Sequence, residues 1–194
     1  MQNQEVYDAV TAKFSEVFGS KADAVAYAPG RIEVLGNHTD YNEGYVFSAA
    51  IDKGTFFAAS LADDDSVTLV ALDVGETFTC RLSEVAPIKE GMTWANYPLG
   101  TFNWLMEGSP AKANKGFKAV FGGNVPLGVG LSSSAALEMA TALALQKLYG
   151  TSFDKTTLAK IGQKAEHTFA GCPCGLLDQA SSMYGAEGAL VKSD

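Results

Sequence analysis

The feature that most constrains this chain is the run Pro126-Leu127-Gly128-Val129-Gly130-Leu131-Ser132-Ser133-Ser134-Ala135-Ala136, which opens directly into a helical segment. Ala135 to Tyr149 is built of Ala, Leu, Met and Glu, all strong helix formers, and Gly150 follows as a stop. Gly128 and Gly130 lack side chains, so the backbone there can turn sharply and come close to a ligand. Three serines put hydroxyls at the helix start, where unpaired N–H groups and the positive end of the helix dipole converge. A helix start of this composition suits an anion. Read alone, the run also fits a flexible Gly/Ser linker joined to a capped helix, the commoner reading for so short a motif. No Gly-Lys-Ser/Thr follows, so it is not a P-loop, and the third glycine of the dinucleotide fingerprint is absent.

The rest of the chain supplies a fold class. Val6, Val10, Phe14, Val17 and Phe18 recur at helical spacing over 4–18, and Gly19 ends the pattern. Residues 24–27 read as a strand broken by Pro29-Gly30. Residues 31–35 alternate, with Ile32 and Val34 on one face and Arg31 and Glu33 on the other. Residues 45–60 and 66–72 are β-rich around the turn Asp63-Asp64-Asp65, and 78–82 is a further strand. Helices are predicted over 94–106, 135–149 and 155–170, with another from about Gly175 that carries Asp178; 116–122 reads as a buried strand. Strands before helices indicate an α+β fold.

Composition narrows the function. A chain of 194 residues with 47% hydrophobic content can bury a core, and 19% charged residues argue against disorder. The net charge of −8 disfavours nucleic-acid and anionic-membrane partners, since the densest basic group is only Lys112, Lys115 and Lys118. No apolar run approaches the ~20 residues of a membrane span, and the N-terminus has no signal-like segment. Three cysteines, Cys80, Cys172 and Cys174, are too few for a disulfide framework. Cys172-Pro-Cys174 could be half a metal site, but with only His38 and His167 a second close pair is missing, so the thiols read as buried or partly buried. A cytoplasmic location is expected.

Two polar clusters remain. Asn37, His38, Thr39 and Asp40 crowd a turn after an apolar strand, where they could bond several hydroxyls of a polyol or make local turn bonds. Asp178 follows Gly175, Leu176 and Leu177, a setting for a general base or for a structural carboxylate at a helix start.

The serine loop resembles the second signature of the GHMP kinases. Ala28 to Gly44 resembles the galactokinase signature within that family, and Ala165 to Gln179 resembles the segment bearing its catalytic aspartate. The three stretches stand in family order along nearly the whole chain. The resemblance implies the GHMP N-terminal domain, a mixed sheet packed against helices. It implies a kinase using ATP and Mg²⁺ to phosphorylate the anomeric hydroxyl of galactose, or a kinase for another sugar, or a non-catalytic sugar sensor. It also implies site roles: Asp178 as general base and Arg31 as the arginine that steadies the transition state. Gly128, Val129, Gly130, Leu131, Ser132, Ser133 and Ser134 form the ATP-phosphate loop. Ser134 and Glu166 are Mg²⁺ ligands, and Asn37, His38, Thr39 and Asp40 the sugar-binding turn. His167, beside Glu166, reads as a surface or hinge residue.

The sequence departs from the galactokinase pattern at Glu33, where Asn is usual, and at Asn37, where Glu is usual. Both changes bear on sugar preference, and Glu33 could pair with Arg31. The resemblance fades after Asp178, within residues 188–191, and the family's late glycine-rich loop and later sugar-contacting tyrosine have no counterpart. The C-terminal GHMP domain is therefore expected to be absent from this chain, which alone should be a poor enzyme with an exposed apolar patch.

Overall fold

Apolar, β-branched and aromatic residues between 24 and 123 supply five strands of a sheet with both faces covered. The computed structural model describes residues 2–36, 44–107, 113–126 and 128–193. Its elements are α1 (Asn3–Phe18), β1 (Ala24–Leu35), β2 (Val46–Leu61), β3 (Ser66–Ala71), β4 (Glu76–Arg81), α2 (Asn96–Glu107), β5 (Phe117–Gly123), α3 (Ser133–Tyr149), α4 (Lys155–Ala165), α5 (Leu177–Tyr184) and β6 (Val191–Ser193). The strands lie in the order β1-β2-β5-β3-β4, and β6 pairs with the start of β2. All pairings are antiparallel except β3 with β5, so the sheet is mixed.

Side chains one residue apart on a strand point to opposite faces, and the core divides accordingly. Ala58, Val70 and Val120 pack under Val6, Val10 and Phe14 of α1. Their neighbours Phe57, Leu69 and Ala119 face the other layer, where Leu99, Phe102 and Leu105 of α2 meet Met139 and Leu145 of α3 and Leu158 of α4. Burial on both faces explains the near-continuous apolar run Phe56–Ala59 in β2, which lacks the alternation of a one-sided sheet. The architecture is α+β, a mixed sheet between α1 and α2–α5. Gly19 and Gly150 close α1 and α3 in the left-handed conformation, as their positions suggest.

Two expectations change. Pro29-Gly30 does not break the first strand, because β1 continues to Leu35 with a register shift between Pro29 and Arg31. β1 is an edge strand, so the missing N–H of Pro29 removes no ladder bond that the fold needs. The alternation over 31–35 holds: Ile32 and Val34 share the exposed face, whereas the Arg31 side chain on the other face is only 12% exposed. Finally, the α-helical turn of α4 ends at Ala165, and Glu166–Ala170 widens into a π-type turn closed by Gly171. Such widenings reposition side chains and recur at functional sites. Among the described residues, no helix is long and apolar enough to cross a membrane.

Gly30 is where β1 meets the loop before α3. A Cβ there would lie 2.5 Å from the Leu131 carbonyl oxygen and 3.3 Å from both Ile51 Cδ1 and Val125 Cγ2. Backbone on one side and packed side chains on the other leave no room to relax. Gly30→Ala is expected to destabilise the fold by about 1–3 kcal/mol, whereas Ile32→Ala on the exposed face should change little. Urea denaturation midpoints of the two variants measure this, and an unshifted midpoint for Gly30→Ala contradicts the close approach.

Candidate active site

The loop that precedes α3 is fastened to β1. The Arg31 N–H donates to the Leu131 carbonyl at 3.1 Å, the contact that Gly30 permits. Gly128 and Gly130 take φ of 72° and 77°, so the chain turns tightly, and neither Cα faces any atom that a side chain would strike. Ser132 has φ of 55° and is the one non-glycine residue with positive φ among the described residues. That conformation costs on the order of 1–3 kcal/mol. It aims the Ser132 hydroxyl away from its own helix: Oγ donates to Asp178 Oδ2 at 2.5 Å, and no side-chain bond caps α3. The ordinary capped helix foreseen as the alternative reading does not form, and the first-turn amides keep their capacity for an anion.

Asp178, in the first turn of α5, is held from two sides. Besides Ser132, the Arg31 guanidinium contacts it, Nη2 to Oδ1 at 2.6 Å, while Arg31 Nη1 donates to the Gly130 carbonyl at 2.5 Å. The Asp178 side chain is 25% exposed. Its carboxylate thus sits among polar groups, although Leu177 beside it is buried. Ser182 of α5 donates to the Pro29 carbonyl at 2.7 Å, which fixes α5 against β1. Arg31 makes its ion pair with Asp178 and none with Glu33, whose Oε1 is buried without a hydrogen-bond partner.

A second acidic centre lies behind the first. Glu166, at the start of the π-type turn, is buried; Cys174 Sγ and Gln179 Nε2 both donate to its Oε2, at 2.9 and 2.8 Å. The same Gln179 amide donates to Glu138 Oε2 at 2.9 Å. Glu138 and Gln179 are fully buried. Burial, and then the negative charge of Glu166, push the Glu138 carboxyl well above the usual carboxylate range, with the Gln179 bond opposing. Burial and the Glu166 carboxylate likewise push the Cys174 thiol up, so it remains a donor. Glu138 and Gln179 were not singled out in the sequence. The available signal was an acidic residue inside the largely apolar 135–145 run, one helical turn beyond Ser134 and therefore on the same face.

Of the other site candidates, Asn37, His38, Thr39 and Asp40 lie outside the described residues. Gly128, Val129, Gly130, Leu131, Ser132, Ser133 and Ser134 form the loop and the first turn of α3. His167 is exposed, with Nε2 at 2.7 Å from the Cys174 carbonyl. Cys172 is exposed, contrary to the expectation of buried or partly buried thiols, because it lies in the exposed stretch 171–173 that follows the π-type turn.

A pocket of about 220 Å³ opens beside the loop. Gly128, Ser133, Ser134 and Leu137 line one side, and Trp94, Tyr97 and Phe121 the other. Aromatic walls meeting an uncapped helix start fit a flat heterocycle carrying phosphates. Among the described residues, no three His, Cys, Asp or Glu side chains converge to hold an ion. A Mg²⁺ ion on Ser134 and Glu166 would take its remaining ligands from phosphate and water, as that ion commonly does.

The raised Glu138 carboxyl has a testable sign. A carboxyl whose folded-state affinity for the proton exceeds its unfolded one contributes stability below the unfolded pKa and loses it as pH rises. Stability of the native chain should therefore fall relative to Glu138→Gln on going from acidic to neutral pH, with a limiting slope of about 1.4 kcal/mol per pH unit. Denaturation of both proteins from pH 4.5 to 8 checks this, and parallel curves refute it.

The geometry has counterparts in known proteins. Residues 96–186 match the GHMP kinases N terminal domain, and residues 12–61 match the galactokinase galactose-binding signature. The structure of Lactococcus lactis galactokinase complexed with galactose superposes with a TM-score of 0.82 at 38% identity, over 93% of this chain and 47% of that one. Methanococcus jannaschii mevalonate kinase gives a TM-score of 0.75 at 20% identity, over 87% of this chain and 52% of that one. Streptococcus pneumoniae phosphomevalonate kinase, in complex with phosphomevalonate and AMPPNP, gives 0.60 at 17% identity, over 82% and 46%. The last two share the fold, and the chain spans about half the length of each of these structures. The two family matches, the shared fold and the galactokinase likeness agree: this chain belongs to the GHMP kinase family and is like the N-terminal portion of a galactokinase.

Proposed function

We propose that this chain is the portion of a sugar kinase that holds ATP, Mg²⁺ and galactose and transfers the γ-phosphoryl group to the anomeric hydroxyl. The observation that carries the reading is the position of Asp178, clamped by Arg31 and Ser132 beside the glycine loop that opens into α3. Bound ATP would supply the phosphoryl group, with Mg²⁺ offsetting its charge. The chain's own residues then position and stabilise, which is most of what phosphoryl transfer requires of a protein. Among the described residues each Asp178 oxygen has one donor and keeps a further lone pair, so it can accept the proton of a sugar hydroxyl. Ser132 and Arg31 fix the orientation of that carboxylate. The guanidinium, tied at its other end to Gly130, is a cation held next to the phosphate loop. The uncapped amides of α3 and the side-chain-free backbone of the two glycines would face the anionic part of the nucleotide. The pocket bounded by Trp94, Tyr97 and Leu137 suits its base.

Asp178→Asn keeps the shape but cannot take the proton. In a full-length protein carrying this sequence, it should lower turnover by roughly 10²–10⁴-fold, with sugar and nucleotide affinities nearly unchanged by calorimetry. Undiminished ADP release from the variant refutes the assignment.

The departures at Glu33 and Asn37 favour a second reading, a kinase of this kind with a shifted sugar preference. Asn37 offers a neutral acceptor where a carboxylate would make a charge-assisted bond, roughly twice as strong. Measuring kcat/KM for galactose and its epimers, beside Asn37→Glu and Glu33→Asn/Asn37→Glu, separates the readings. A strong galactose preference that neither variant alters excludes the shift.

A further inference from the structure

We infer that Gln179 is a positioning residue that fixes Glu166 so that one carboxylate oxygen is presented to a divalent cation. This rests on the reading of Glu166 as a metal ligand given above. Two donors of different chemistry, the Gln179 amide and the Cys174 thiol, converge on the same Glu166 oxygen, Oε2. Among the described residues, no protein donor reaches Oε1, and Oε1 is not among the buried atoms left without a partner. Glu166 is thus gripped by one oxygen and free at the other. Hydrogen-bond partners behind a ligand that fix its orientation are the usual support of a metal site.

Packing alone does not account for Gln179. It is fully buried, yet its own Oε1 has no partner, and the same holds for Oε1 of Glu138, to which its amide also donates. Unpaired buried polar atoms are costly, and apolar residues of like shape would fill this space at least as stably. What the glutamine adds is a donor that reaches two carboxylates on two separate elements, α3 and the π-type turn. It is also the neighbour of Asp178 in the first turn of α5. One helix start therefore carries both Asp178 and the side chain that holds Glu166.

The test uses Mn²⁺ as the probe, followed by its electron spin resonance signal, with ATP and a full-length protein carrying this sequence. Gln179→Leu removes the donor and the unpaired carbonyl while keeping similar bulk. Mn²⁺ affinity in the presence of ATP should fall about 10–100-fold, while the affinity for metal-free ATP and the thermal midpoint stay at native values. Gln179→Glu, which sets a third acceptor against Glu138 and Glu166, should lose at least as much. Native Mn²⁺ affinity in Gln179→Leu overturns the inference, and so does an equal loss of metal-free ATP binding, which would indicate a general structural role. If Gln179→Leu does not fold, Cys174→Ala removes the other donor to the same oxygen: weakened Mn²⁺ binding supports the arrangement, and unchanged binding overturns it. Glu166→Gln isolates the underlying reading. If that variant leaves Mn²⁺ binding intact, Glu166 is not a ligand and both statements fall. If it abolishes binding while Gln179→Leu does not weaken it, only the inference about Gln179 fails.

Discussion

Arg31 joins three segments that are remote in sequence. Its backbone N–H holds Leu131, its Nη1 holds the Gly130 carbonyl, and its Nη2 holds Asp178. The edge strand, the glycine loop and the start of α5 meet in one side chain and its peptide group. A rigid guanidinium suits such a junction, because its several donors lie in one plane and lose little freedom for each bond formed. The junction also requires Gly30 next to it, since any Cβ would collide with the carbonyl that Arg31 binds. The positive φ of Ser132 belongs to the same arrangement, for it turns the serine hydroxyl onto the aspartate that Arg31 holds.

Behind this junction the charge balance is negative. Glu138 feels Glu166 first and Asp178 more weakly, and Arg31 is the cation paired within this group among the described residues. In a low-dielectric interior, like charges raise the affinity of one member for a proton, or draw a cation into the site. The first happens at Glu138, where burial is the larger cause and the Glu166 charge adds to it. The Gln179 amide lies between Glu138 and Glu166 and donates to both, so the two carboxylates are bridged by a neutral group.

Much of the framework was legible because local chemistry and burial agree. Val6, Val10 and Phe14 sit on one stripe of α1, and that stripe is the buried one. Helix α3 begins at Ser133 and ends before Gly150, where composition changes on both sides. The readings that failed did so where a tertiary partner overrode a local preference. Pro29-Gly30 has the composition of a break, but an edge strand accepts a residue without an N–H, and the loop before α3 needs the glycine. The helix from Lys155 stops short because the turn at Glu166 widens, which no spacing of apolar residues foretells.

The sequence by itself determined the mixture of strands and helices, the helix ends marked by glycine, and the loop whose glycines and serines suit an anion. Each of these depends on intrinsic conformational preference or on a periodicity of a few residues. Tertiary structure alone decided what Arg31 and Asp178 do to each other, 147 positions apart by their numbering, and that a buried glutamine would bridge two glutamates. It also decided that the Ser132 hydroxyl would serve an aspartate on another helix rather than cap its own. Those outcomes are set by which elements the sheet brings within about 3 Å of one another, and hydrogen bonds at that range depend on orientation in space, which carries no mark in the order of residues.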